Sequence, residues 1–278
     1  MNTPALSAVS RAGRHVPDAV RLVEAYADGR DALHCTFEFV VPPAGGVTAR
    51  PGQFFMLNVP GAGESAFTYS ALPDAQGRFG ALIRKTGTVT AALFASPVGS
   101  VLGARGPFGS AWPVEGLQGA RVLVAGGGCG LAPLVSAVRA LHGRAGRLAV
   151  LYSARDERAR VLQRERAQWA RDGIPLLDVL DAPHAIGPVP HLERVQAMLG
   201  GLPQHVLTCG PEAMMFALAH SLVQRGVPGE HIHLSLERRM HCGTGHCGHC
   251  YIGGAYCCTD GPVLDWPRVR ALLGHAGH

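Results

Sequence analysis

Arg121-Val-Leu-Val-Ala125, followed without a break by Gly-Gly-Gly-Cys-Gly-Leu-Ala-Pro133, decides the architecture of this chain. The first five residues lead a continuous apolar run, the pattern of a strand buried on both faces of a parallel sheet. The glycines make a tight turn. Pro133 then falls in the first turn of a helix, where its missing N–H costs nothing. Strand, glycine turn and helix in this order open a doubly wound α/β sheet. Glycine lets the backbone approach a pyrophosphate, and the start of the helix offers free N–H groups. Taken alone, the run also fits a tight turn with no ligand.

The same texture continues downstream. Arg147 to Tyr152, Leu176 to Leu180 and His205 to Cys209 read as further strands. Helices are expected over 131–141, 157–171 and 212–225. Thr208-Cys-Gly-Pro-Glu212 repeats the glycine turn at a later strand end, and neighbouring parallel strands deliver such turns to one crevice. Cys209 is the one candidate reactive group there, although a free cysteine is more often a small buried hydrophobe. Upstream, Leu33 to Val41, Phe54 to Val59 and Phe79 to Arg84 are short strands separated by turns, the pattern of a small antiparallel barrel. In this half, Glu64-Ser-Ala-Phe-Thr-Tyr-Ser70 offers hydroxyls and aromatics that could flank a planar ring. Gly87, Thr88 and Thr90, ahead of a short helix, could hold a phosphate. Without the other motifs these would be ordinary sheet-surface threonines.

Near the C-terminus stands Cys242-Gly-Thr-Gly-His-Cys247-Gly-His-Cys250, closed by Cys258. The opening x4/x2 spacing is that of plant-type [2Fe–2S] ligation. Gly243, Gly245 and Gly248 permit the tight turns so short a loop needs. Zinc is the rival, because Cys247-Gly-His-Cys250 is a C-x2-C knuckle that Cys257, Cys258 or a histidine could complete. Two-plus-two zinc sites separate their pairs by a longer spacer, so the spacing favours iron–sulfur. Cys258 precedes the turn Thr259-Asp-Gly-Pro262 and is taken as the fourth ligand, with Cys257 spare.

Composition narrows the function classes. The 278 residues are 47% hydrophobic and 16% charged, enough for two cores. A net charge of +5 with scattered arginines gives no support to nucleic-acid binding. The most apolar stretch, Val122 to Val138, carries glycines and a proline, so no membrane insertion is expected. Residues 1–20 lack a signal-peptide core, and eight cysteines, five of them between 242 and 258, predict a reducing, cytoplasmic setting.

Together these motifs resemble the iron–sulfur branch of the ferredoxin–NADP reductase superfamily. That branch includes the gamma (diaphorase) subunits of cytosolic [NiFe] hydrogenases and the electron-transfer subunits of dihydroorotate dehydrogenase and of anaerobic sulfite reductase. The resemblance is carried by Arg50-Pro-Gly-Gln-Phe54, Gly106-Pro-Phe-Gly109, the Gly126–Pro133 run and Cys209-Gly-Pro211. Leu236-Glu-Arg-Arg-Met240, leading into the cysteine loop, is more like the hydrogenase gamma subunit than the dihydroorotate protein. It implies a lead over 1–18, an FAD-binding β-barrel over 19–113 and an NAD(P)-binding α/β domain over 119–239. A [2Fe–2S] loop over 240–262 and a helix and tail over 263–278 would follow. FAD would meet Phe67, Thr68, Tyr69, Ser70, Gly87, Thr88 and Thr90. NAD(P)H, as substrate, would meet Gly126, Gly127, Gly128, Gly130, Pro133, Arg155, Cys209, Gly210 and Pro211. The cluster would take Cys242, Cys247, Cys250 and Cys258. Ser65 stands where the family's flavin motif has an arginine. The implied function is electron transfer between NAD(P)H and the catalytic and iron–sulfur subunits of a larger oxidoreductase, a [NiFe] hydrogenase first, with dihydroorotate dehydrogenase or sulfite reductase as alternatives. From another class, a zinc-holding adaptor on a degenerate reductase fold would keep the cysteines without the redox chemistry.

Overall fold

The computed structural model describes residues 15–181 and 187–274. The predicted lead lies, as far as residue 14, outside the described residues, as do residues 275–278 of the tail.

The N-terminal half is a six-stranded antiparallel sheet. Its strands are β1 (Asp18–Ala27), β2 (Ala32–Phe39), β3 (Phe54–Val59), β4 (Gly63–Thr68), β5 (Arg78–Arg84) and β6 (Val101–Phe108), in the order β4-β3-β6-β1-β2-β5. The edges meet through Ser70 N–H to Gly80 O (2.8 Å) and Gly80 N–H to Ala71 O (3.0 Å), which closes the sheet into a barrel. Alternation along β2 puts Cys35, Phe37 and Phe39 inside with Phe55, Phe79 and Ile83. A short helix, α1 (Thr88–Phe94), sits beside β4. Strand β6 escaped sequence reading because Gly103, Gly106 and Pro107 interrupt its pattern.

The second half contains β7 (Arg121–Gly127), α2 (Ala132–Leu141), β8 (Arg147–Ala154), α3 (Gln163–Arg171), β9 (Leu176–Leu180), α4 (Leu192–Leu199), β10 (His205–Cys209), α5 (Glu212–Gln224) and β11 (Ile232–Ser235). After the cysteine loop, with its hairpin β12 (Tyr251–Ile252) and β13 (Ala255–Tyr256), come α6 (Cys257–Asp260), β14 (Val263–Asp265) and α7 (Trp266–Leu272). The sheet order is β14-β11-β10-β7-β8-β9, parallel except for the edge strand β14. Strand order reverses between β7 and β10, the switch point at which α/β sheets form their ligand crevice. The expected helix over 157–171 is only α3. Asp156 instead caps a short 3-10 turn over 157–159, and Leu162 takes a left-handed conformation before α3 starts.

One apolar core joins the parts. Phe54, Met56 and Phe108 of the barrel pack with Leu123, Leu234 and Trp266 of the second half, and with Cys250, Cys257 and Cys258 of the loop. Burying each large side chain contributes roughly 1.5–3 kcal/mol. The loop is therefore seated against both halves.

Candidate flavin, nucleotide and cluster site

At the switch point, paired registers bring Cys209 beside Gly126, so the two glycine turns leave the sheet together. A Cβ on Gly130 would stand 2.5 Å from Cys209 O, and one on Gly210 would stand 3.1 Å from Gly127 N. These glycines allow backbone to meet backbone. Gly127 has a different neighbour: its Cβ would meet Met214 Sδ at 2.5 Å. Met214 was not singled out by sequence, because a methionine in an amphipathic helix reads as core. Gly128 has φ +54° and nothing within 4 Å of its Cβ position, so it is the open face of the turn. It begins a 3-10 turn (Gly128–Leu131) that runs into α2, and neither segment has a side-chain cap. Ala132 N–H bonds Cys129 O and Pro133 has no N–H, so it is the N–H groups at the start of the 3-10 turn that face a ligand, which is the fit a pyrophosphate requires.

Three predicted nucleotide contacts are placed otherwise. Gly126 is packed under Leu131. Pro133 is buried, and its carbonyl accepts the Trp112 indole N–H at 2.8 Å. Cys209 is fully buried, its thiol faces Ser235 O at 3.6 Å, and burial pushes its pKa well up. Its role as a reactive group is corrected accordingly: an inaccessible, protonated thiol is packing, and only its backbone meets the crevice. Gly210, Pro211 and Gly128 reach the surface, and Arg155 lies exposed just beyond β8.

On the barrel side, β4 and the start of α1 are neighbours, so Phe67, Thr68, Gly87 and Thr88 gather at one edge with part of each exposed. The other three predicted flavin contacts are engaged elsewhere. Tyr69 is inside the barrel against Phe55 (4.8 Å between centroids) and Phe79 (5.6 Å). Ser70 Oγ is buried at 3.1 Å from His34 Nε2, which also lies 3.5 Å from Glu165 on α3. Thr90 Oγ1 closes the helix start, accepting from the Thr86 and Gly87 N–H groups and donating to Gly87 O. Four of the seven residues expected to meet flavin thus remain accessible at this edge. Arg84, at the end of β5, brings its charge near the Cys129 thiol of the glycine turn, where it opposes the rise that burial causes.

The cysteine loop folds on its glycines, with φ near +75° at Gly243 (73°), Gly245 (78°) and Gly248 (77°). Cys247 lies near enough to Cys242, and Cys250 to Cys258, to bear on the ionisation of Cys242 and Cys258, and Cys258 feels the charge of Cys242. Among the described residues no three or more Cys, His, Asp or Glu side chains converge on a single ion position. Two thiol pairs suit two irons, each taking two sulfurs, whereas tetrahedral zinc wants all four at one point. Backbone N–H groups support the sulfurs: Thr244 N–H reaches Cys242 Sγ (3.4 Å) and Gly245 N–H reaches Cys258 Sγ (3.2 Å). Partial desolvation opposes ionisation of Cys242, but N–H donation from Thr244 and Cys247 outweighs it and holds the thiol at about 5. Burial pushes the Cys258 thiol up to about 12, and the N–H of Gly245 offsets part of that rise. Cys257 is also buried, is pushed up to about 12 by desolvation and bonds Leu236 O at 3.4 Å, outside both pairs. A cavity of about 670 Å³ lies against the loop, lined by Gln53, Phe108, Gly109, Thr244, His246 and Cys258 among others.

Arg105 of β6 and Glu64 of β4, neither prominent in the sequence, tie the loop to the barrel. An arginine inside a strand normally marks an exposed face, and only the tertiary contact shows otherwise.

A profile described as the oxidoreductase FAD-binding domain matches residues 30–112, and one described as the iron–sulfur cluster binding domain of dihydroorotate dehydrogenase B matches 237–270. The gamma subunit of sulfhydrogenase 1 from Pyrococcus furiosus is 32% identical over 254 residues, covering 82% of each chain. The chain belongs to the flavin and iron–sulfur electron-transfer subunits of the ferredoxin–NADP reductase superfamily. A probable dihydroorotate dehydrogenase B electron-transfer subunit from Thermococcus kodakarensis is 30% identical over 234 residues, covering 80% of this chain and 88% of that one. In fold, this family member superposes on a chain of the NADH-dependent reduced ferredoxin–NADP oxidoreductase with a TM-score of 0.71. The two are 22% identical, with 92% of each chain covered. The expected resemblance and two-part architecture are borne out. No helix among the described residues is long and apolar enough to cross a membrane.

Proposed function

We propose that this chain passes electrons between NAD(P)H and a partner catalytic subunit, a [NiFe] hydrogenase in the first instance. The observation that carries the reading is the convergence of three surfaces. The Phe67/Thr68 edge lies on β4, Arg84 at the end of β5 brings its charge near Cys129 of the open Gly128 turn, and the cysteine loop rests on β3 and β6 through Met56 and Phe108, with β3 paired to β4. A bound flavin supplies the conversion between two-electron and one-electron transfer, and the protein's task is placement.

The residues divide that task. Gly128, Gly210 and the uncapped start of the 3-10 turn before α2 receive the dinucleotide pyrophosphate. Thr68 and Phe67 border the flavin ring, and the N–H groups at Gly87 and Thr88 take its phosphate in place of the arginine that Ser65 replaces. The pairs Cys242/Cys247 and Cys250/Cys258 hold one iron each. Arg155 is solvent-exposed and lies 3.7 Å from the Asp156 carboxylate, which also caps Ala159 N–H and pairs with Arg30, so the carboxylate's charge is shared among three partners. This supports a contact between Arg155 and a 2′-phosphate. Homology to both sulfhydrogenase and dihydroorotate subunits keeps the second partner class in view.

The test is an anaerobic preparation of the full chain, assayed for flavin, iron and sulfide and then mixed rapidly with NADPH or NADH. The proposal expects two irons per flavin, bleaching of both chromophores, and an Arg155→Gln variant that loses affinity for NADPH alone. A colourless, zinc-containing protein would instead establish the adaptor reading. Co-purification with a hydrogenase or a dihydroorotate dehydrogenase catalytic subunit decides the partner.

A further inference from the structure

We infer that Arg105 is a positioning residue for the cluster, clamping the backbone of Cys242 to the barrel strand that carries the flavin edge; this rests on the iron–sulfur reading above. The Arg105 side chain is 6% exposed. Its Nε donates to both Glu64 carboxylate oxygens (3.0 and 3.1 Å), and Nη2 donates to Glu64 Oε2 at 2.6 Å. The outer nitrogens then reach the loop: Nη1 to Cys242 O at 2.6 Å and Nη2 to His241 O at 3.2 Å. A planar guanidinium is suited to this geometry, because one rigid fork bridges a carboxylate on one side and two carbonyls on the other. Lysine, a point charge on a flexible stem, cannot hold all three acceptors at once.

The contacts couple specific parts of the molecule. Glu64 lies on β4, four residues before Thr68, so its carboxylate is rigidly related to the flavin edge. The carbonyl that Nη1 holds belongs to the first cluster ligand itself. On the next residue, a Cβ on Gly243 would meet Phe108 at 3.1 Å and Met56 at 3.4 Å, so the backbone there lies flat on β3 and β6. The Arg105 guanidinium also lies over the Phe108 ring, 5.5 Å from its centroid. Cys242 is thus fixed from both sides, and with it the separation between the flavin edge and the Cys242/Cys247 pair. The loop has no regular secondary structure between Met240 and Tyr251 to do this. Without the clamp its first ligand would depend on glycine-rich backbone, which is free to move.

The experiment uses the full chain, iron-free and reconstituted, as wild type, Arg105→Lys, Glu64→Gln and the double variant. Glu64→Gln is near-isosteric and Arg105→Lys keeps the charge and the aliphatic stem, and thermal unfolding of each variant confirms that the fold is retained. Amide exchange over residues 241–245, iron release to a chelator and flavin content are measured. Arg105→Lys is expected to speed exchange in that segment and iron release by about tenfold or more, with flavin content and exchange in β1 and β2 unchanged. The double variant should be no worse than Arg105→Lys alone, since both remove one shared contact. Exchange and iron release within about twofold of wild type would overturn the inference, as would equal acceleration throughout the barrel, which marks a merely structural residue. Because exchange is read in iron-free protein too, a wild type that binds no iron would defeat the cluster reading separately from the clamp.

Discussion

Substituting Gly130 tests whether the nucleotide crevice is built by backbone contact between its two turns. An alanine Cβ would stand 2.5 Å from the Cys209 carbonyl oxygen, 2.6 Å from its carbon and 2.6 Å from Gly210 Cα. Carbon contacts settle at about 3.5 Å, so the β10–α5 turn must retreat from the β7–α2 turn by roughly 1 Å. Overpacking costs about 1–3 kcal/mol, and here both sides are backbone with no rotamer to yield, which argues for the upper end. At about 2–4 °C per kcal/mol for a chain of this size, Gly130→Ala should lower Tm by roughly 6–12 °C. Gly128→Ala is the comparison: it has space for a methyl group and suffers only its positive φ, about 1–2 kcal/mol. Urea and thermal unfolding of both variants, with NAD(P)H titration, give the answer. Gly130→Ala should lose stability and nucleotide affinity together. If it melted within about 2 °C of wild type, or if Gly128→Ala were the more damaging of the two, the two-turn contact would not be what shapes the crevice.

Among the cysteines, Cys258→Ser should abolish the cluster absorbance, whereas Cys257→Ser should keep it; iron and sulfide assays separate the two. Cys209→Ala should leave nucleotide-linked turnover unchanged and cost stability of about 1 kcal/mol, read by denaturant titration. His205 and His233 are held below the ordinary histidine value of 6.5, chiefly by burial and then by neighbouring charge, from His231 on His205 and from His205 and His231 on His233; Asp265 offsets part of the effect on His233. Their unfolded forms bind protons more tightly, so this contribution to stability is intact above about pH 6.5 and is lost as pH falls through the folded values. His233→Gln should flatten the fall in urea midpoint between about pH 7 and pH 5, and an unchanged slope would exclude it as the source.

The strand–glycine–helix run at Arg121–Pro133 and the four-cysteine spacing were legible because each is a local pattern in which backbone conformation or ligand spacing is written in a few consecutive residues. A buried parallel strand must be apolar throughout, a tight turn needs glycine, and the thiolates of a short cluster loop must be spaced a few residues apart. Three barrel strands, β2, β3 and β5, were legible for the same reason, whereas β1 and β6 were not. Strand β11 and edge strand β14 were missed: one is four residues long, the other three, and neither has a period long enough to detect.

The chain alone determined that there would be a barrel, a doubly wound sheet and a thiolate loop, because those follow from side-chain period and ligand spacing. Only the tertiary structure decided which residues at each site are free to act. It turned Tyr69 into the barrel, engaged Ser70 with His34, buried the Cys209 thiol and set Met214 against Gly127. It also drew Arg105 and Glu64, 41 residues apart, into a clamp on Cys242. The physical reason is that local pattern fixes backbone conformation within a segment, whereas the direction and accessibility of a side chain depend on what other segments pack against it.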